Sequence, residues 1–132
     1  MGVDAPHTSN LVTVNMAKKR VYLRFKGSLT KAQAEDLREA YRRAITQVGP
    51  GYSAVSIFEE FMPGTPEVQE VISSMIQMAS NSGCLKAARV SHGNVLGQMQ
   101  LGRLQRSVEA AYPVRDCTTI EEADAYLDGV ED

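Results

Sequence analysis

Short apolar runs of strand length alternate along this chain with amphipathic segments that open on helix-capping residues. No other feature constrains the fold as strongly. Strands separated by helices pair side by side and in the same direction, through right-handed crossovers. The runs are Val21–Phe25, Ala54–Phe58, Leu85–Val90 and Pro113–Cys117. Each helical segment between them carries its own start and stop signals. Thr30 with Gln33 three residues on predicts a capping box, and Ala34, Leu37, Tyr41, Ala44, Ile45 and Val48 make one apolar stripe, which Gly49-Pro50-Gly51 ends. Thr65-Pro66-Glu67 predicts a second start, with a hydroxyl at the N-cap, Pro at the first position and an acid in the first turn. Val68, Val71, Ile72, Met75, Ile76 and Ala79 follow as its stripe, and Asn81-Ser82-Gly83 closes it.

A third helix is expected from Asn94, through Val95, Leu96, Met99, Leu101, Leu104, Val108 and Ala111. Gly97 and Gly102 interrupt it, each costing about 1 kcal/mol against Ala. Thr119 with Glu122 predicts another capping box for a short last helix docked by Ile120, Ala123 and Leu127. Ahead of the alternation, Leu11, Val12 and Val14 form a strand, residues 17–20 a turn, and Val21, Leu23 and Phe25 a second strand with strict alternation. That pair reads as a β-hairpin. The expected order is therefore ββαβαβαβα: an α/β domain over residues 11–129, with a mainly parallel sheet opened by an antiparallel hairpin and covered by about four helices. Residues 1–10 are polar and aperiodic and read as a disordered tail.

Composition narrows the class. At 132 residues with 23% charged side chains the chain is ordinary globular protein. No apolar run approaches the roughly 20 residues of a membrane span. Cys84 and Cys117 belong to no CxxC pair, and two isolated thiols read as reduced structural cysteines in a cytoplasmic protein. Net charge is −2, but residues 1–49 hold nine Lys and Arg against four acids, and the remainder five against twelve. A turn (Lys18, Lys19, Arg20) and a solvated helix face (Arg38, Arg42, Arg43) account for most of the basic half. Nucleic-acid binding would want such charges on one face with aromatic or glycine-rich readers among them; the turn and the helix face account for most of the charges without it, so nucleic-acid binding is not expected.

The element order, with Val21-Tyr-Leu-Arg-Phe-Lys-Gly-Ser-Leu-Thr30, Ala54–Phe58, Leu85–Val90 and Thr119-Ile-Glu-Glu-Ala-Asp-Ala-Tyr-Leu127, resembles the STAS domain over about residues 11–129. That is the fold of anti-sigma-factor antagonists and of the cytoplasmic domains of sulfate transporters. The resemblance implies a non-enzymatic regulatory module working by protein–protein contact. In antagonists of the family a hydroxyl in an Asp-Ser-Ser/Thr-Gly-like loop, at the start of the helix after the central strand, is phosphorylated to switch partner binding. This chain has Phe61-Met-Pro-Gly-Thr-Pro-Glu67 there, without the Asp-Ser-Ser-Gly string, and Thr65 is the hydroxyl nearest that place.

The expected contact or ligand loop is therefore Glu59, Glu60, Phe61, Met62, Pro63, Gly64 and Thr65, with Thr65 as phosphorylation or contact site. An ordinary N-cap role already explains Thr65. Glu59 and Glu60 end an inner strand, where α/β sheets place ligands. Adjacent strand residues face opposite ways, so the two do not form an acid–base pair. An alternative reading is a small-molecule or lipid binder, with a pocket near Phe61, Met62 and His92. A third is an enzyme using His92 and Glu60, which no spaced nucleophile accompanies. His7 lies in the tail, so neither a metal centre nor a cofactor site is assembled. Met62, Met75, Met78 and Met99 read as core filling, and any exposed remainder would serve a protein partner or self-association.

Overall fold

A four-residue turn starts the architecture. In the computed structural model, which describes residues 12–59, 64–91 and 112–129, β1 (Val12–Asn15) and β2 (Arg20–Lys26) pair antiparallel, Val12 opposite Leu23 and Val14 opposite Val21. Between them Lys19 takes a left-handed conformation, φ 51°. α1 (Lys31–Val48) follows with its capping box complete: Gln33 N–H donates to Thr30 Oγ1 at 3.1 Å, and Thr30 N–H to Gln33 Oε1 at 2.9 Å. Then come β3 (Tyr52–Glu59), α2 (Pro66–Asn81), β4 (Cys84–Val90), β5 (Val114–Cys117) and α3 (Ile120–Asp128). The third expected helix, from Asn94 to Ala111, lies outside the described residues. So do the tail and Leu11.

The sheet runs β1-β2-β3-β4-β5 in chain order, with β2 to β5 parallel. When each crossover moves one strand along with the same right-handed sense, successive helices land on the same face. α1 and α2 accordingly pack side by side on one face, over Val21, Leu23, Phe25, Ala54, Phe58 and Ala87. Phe25 and Phe58 stack there, ring centroids 4.9 Å apart. The opposite face presents Val55, Ile57, Ala88, Val90 and Cys117, and α3 covers it through Ala123 and Leu127. The inner strands are buried from both sides, which is why they read as nearly continuous apolar runs.

Three expectations need correction. The run Leu85–Val90 was expected to begin the strand, but β4 begins at Cys84, and the register jumps from Tyr52–Cys84 to Ser53–Lys86. Leu85 is the extra residue of that bulge and is 63% exposed. At Thr119 only half of the capping box forms. Glu122 N–H donates to Thr119 Oγ1, but the Glu122 carboxylate accepts from Thr118 N–H and hydroxyl instead of the N-cap backbone, each at 3.0 Å. Those bonds hold the carboxyl below its ordinary pKa.

The third correction is Arg20, assigned by its sequence to a solvated turn. It opens β2 instead, 3% exposed, on the α3 side of the sheet. Its Nε donates to Ser53 Oγ (3.0 Å), Nη1 to Asp124 (2.8 Å) and Nη2 to Asp128 (2.8 Å). Tyr22 O–H donates to Asp124 at 2.7 Å, and Lys18 Nζ to Asp128 at 2.7 Å. Burial alone would lower the Arg20 pKa, but the bonds to Asp128 and Asp124 outweigh it and hold the guanidinium charged. Lys86 adds a bond to the Tyr126 carbonyl at 3.1 Å and lies over the Tyr126 ring. α3 is thus clamped by charge at one end and apolar contact along its length.

Asp124→Ala would strand a buried guanidinium nitrogen and the Tyr22 hydroxyl, and should cost about 2–4 kcal/mol in a denaturant titration. The hydrogen bonds from Lys18 and then Arg20 hold the Asp128 carboxyl below the usual range. Its contribution is therefore complete above the ordinary carboxylate pKa and lost as pH falls through the lower folded value. Amide exchange should show α3 opening first on acidification, and uniform exchange across α1 and α3 would contradict this.

Candidate functional site

The carboxyl ends of the parallel strands are where the expected loop begins. Glu59 closes β3, and its carboxylate meets Arg24 Nη1 at 2.9 Å, on the α3 side of the sheet. It is therefore engaged by the chain itself. Glu60, Phe61, Met62, Pro63 and His92 lie outside the described residues. The description resumes at Gly64, and from there the loop is built to be held. Gln69 Nε2 donates to the Gly64 carbonyl at 2.9 Å, and Val68 N–H to Thr65 Oγ1 at 3.3 Å. A Cβ on Gly64 would lie 2.6 Å from Val68 Cγ1 and 2.8 Å from its Cβ, so only glycine lets the loop rest on the first turn of α2. Above this anchor Thr65, Pro66 and Glu67 are exposed. The N-cap expectation for Thr65 holds, and its outer side faces solvent.

A second set of groups lies on the helix-covered face, where sequence reading placed nothing. The register aligns Leu23, Ser56, Arg89 and Asp116 in one row across β2, β3, β4 and β5. Arg89, in β4, is 12% exposed. Its Nε lies 2.8 Å from Asp116 Oδ1, yet the angle is too poor for a directed hydrogen bond, and we read the contact as an ion pair. Nη1 is buried, with no hydrogen-bond partner among the described residues. The Ser56 hydroxyl has no protein partner either, among the described residues. Both side chains line a cavity walled by Leu23, Phe25, Ile72, Met75, Tyr112 and Val114. It holds ≈ 470 Å³ of empty space, open mouth included. The sequence signal was available: one arginine at an alternate position of an inner strand, where a solvated role is excluded.

Arg38 also has a buried nitrogen without a partner, its Nε, but its Nη1 donates to Ser74 and it does not line the cavity. Beside the cavity a chain of hydroxyls, Tyr41 to Tyr52 at 2.9 Å and Tyr52 to Ser82 at 2.8 Å, ties α1, β3 and the end of α2 together. Burial pushes the Tyr41 phenol pKa far up, so it is a neutral structural group. Burial likewise pushes the Cys84 thiol up to about 12. Cys84 and Cys117 lie under opposite faces of the sheet, outside any disulfide. Among the described residues no three His, Cys, Asp or Glu side chains gather as a metal site, and no helix is long and apolar enough to cross a membrane.

Comparison with models of known families, with curated proteins and with solved structures yields no match.

Gly64→Ala should destabilise by about 1–3 kcal/mol, because the buried, β-branched Val68 cannot swing away. The added methyl meets the Val68 Cβ at 2.8 Å as well as Cγ1 at 2.6 Å, so Gly64→Ala should cost less, but still something, in a Val68→Ala background, and an equal cost in both backgrounds would contradict the clash. A melting series of the two single variants and the double variant distinguishes these outcomes.

Proposed function

We propose that this chain is a STAS-like regulatory module, without catalysis, that works by protein–protein contact at the start of α2. One observation carries the reading. The helix after the central strand begins on a rigidly seated Gly64-Thr65 pair and turns Thr65, Pro66 and Glu67 outward. A hydroxyl so placed suits a charge switch. Phosphate at an N-cap meets the unsatisfied N–H groups and the positive end of the helix dipole, so the fold tolerates it while a docked partner does not. The hairpin entry and the parallel run of strands agree with the family the sequence resembles. A reducing compartment, the cytoplasm, fits two buried thiols outside any disulfide.

Thr65→Ala should cost about 1 kcal/mol through the lost cap. Thr65→Glu should fold normally, since the helix N-terminus accepts the charge at a gain of a few tenths to about 1 kcal/mol. A photo-crosslinking residue at position 67, installed in the protein's own cells, should capture a partner that the same residue at 43, on the exposed side of α1, does not. Adding Thr65→Glu should diminish that capture. Equal capture with and without the glutamate would leave Thr65 an ordinary helix cap.

A further inference from the structure

We propose that the cavity between α2 and the sheet is a binding site for a small carboxylic acid, whose carboxylate is received by Arg89 and Ser56. The inference stands apart from the contact reading, because it rests on groups beneath α2 and not on its exposed start. Its basis is an internal comparison. Two strand arginines lie beneath the helices, one on each face of the sheet, Arg20 buried and Arg89 12% exposed. Arg20 gives every nitrogen to an acceptor: Ser53, Asp124 and Asp128. Arg89 has the same kind of surroundings with one part missing. Ser56 is its register partner on β3, and Asp116 its register partner on β5. Among the described residues no second carboxylate arrives, and Nη1 is left buried without a hydrogen-bond partner. A buried donor on a charged group demands an acceptor, and an ionised one answers best.

The space in front of it has the form such an acceptor needs. Ser56 supplies a hydroxyl donor next to the guanidinium, at the ~4.8 Å spacing of neighbouring strands. The walls are apolar, with Leu23, Phe25, Ile72, Met75 and Val114 around the polar floor. A mostly apolar cleft with a few convergent polar groups is the usual form of a small-molecule site. The cavity, ≈ 470 Å³ with its open mouth included, has room for a carboxylate with a short apolar tail, and a longer tail would leave by the mouth. Arg20 shows that one guanidinium on this sheet holds two carboxylates, so Asp116 does not exclude the acid, although it opposes it electrostatically.

The test is a titration of the full chain with hexanoate, followed by amide NMR shifts, with hexan-1-ol as the neutral control. Hexanoate should move the amides of Ser56, Ala87, Arg89 and Val114, and bind about tenfold or more tighter than the alcohol, as expected of a charge-assisted bond. Arg89→Gln should abolish that preference, and Ser56→Ala should weaken hexanoate several-fold. Asp116→Asn should tighten it, an outcome that a purely structural Arg89–Asp116 pair does not produce. If Arg89→Gln fails to fold, the Ser56 and Asp116 variants decide alone. Equal binding of acid and alcohol overturns the proposal. So do unchanged Ser56 and Asp116 variants, or no shift at these amides at about 10 mM hexanoate, ten times a millimolar Kd.

Discussion

Everything in this molecule follows from strands laid down one beside the next in chain order. A parallel sheet that grows in one direction, with crossovers of one hand, sends its crossover helices to one face. α1 and α2 obey this, and their apolar stripes cover that face. The cost of the arrangement is an uncovered second face carrying Val55, Ile57, Ala88 and Val90. The chain has one described element left after β5 to cover it, and α3 is only nine residues long. A helix so short is marginal by itself, since its nucleation is not repaid by few internal bonds. It needs anchors. Arg20, Tyr22, Lys18 and Lys86 on the sheet side meet Asp124, Asp128 and the Tyr126 carbonyl on the helix.

The fold was legible where local chemistry and burial agree. Thr30, Thr65 and Thr119 each receive the N-cap hydrogen bond that their neighbours predict. The stripe Ala34, Leu37, Tyr41, Ala44 and Val48 is buried as its spacing requires. Charge was where reading failed. Arg20 follows two lysines, so its sequence neighbours place it in a solvated turn, while its tertiary neighbours make it a buried cation with an acceptor for each nitrogen. Glu122 misled in a smaller way, because Thr118 offered its carboxylate two donors where Thr119 offered one. At the site, Thr65 and Gly64 were legible from the turn chemistry. The Ser56–Arg89–Asp116 row was not, because it exists only through register: residues 33 and 27 positions apart become neighbours once three strands pair.

The two candidate regions share one helix. Thr65 begins α2, and Ile72, Met75 and Ile76 on its inner side form a wall of the cavity. A group entering that cavity must press on α2 or let α2 settle against it. Either way it acts on the element whose first turn presents Thr65, Pro66 and Glu67. A helix held by one capped end and one apolar stripe moves as a rigid body, so a change along the stripe is felt at its start. Contact and ligand are therefore compatible roles for the same element, and a ligand that binds one seating of α2 better than another would bias the contact by that difference in affinity and no more.

Arg89 sharpens the argument, because stability alone gives no reason for it. A buried ion pair is commonly no more stabilising than well-packed apolar side chains of similar volume. This pair is poorly made: Asp116 is half exposed, the approach to Nε is poorly angled, and Nη1 has no acceptor among the described residues. Leu or Met at position 89 would line the same cavity without burying a charge. The position therefore carries an energetic deficit in the empty fold, and whatever supplies the missing acceptor removes it. Water supplies an acceptor too, but it leaves the apolar walls wetted. An acid with a short apolar tail satisfies Nη1 and Ser56 at one end and covers Leu23, Ile72 and Met75 at the other, and that double complementarity is what singles out its chemical class.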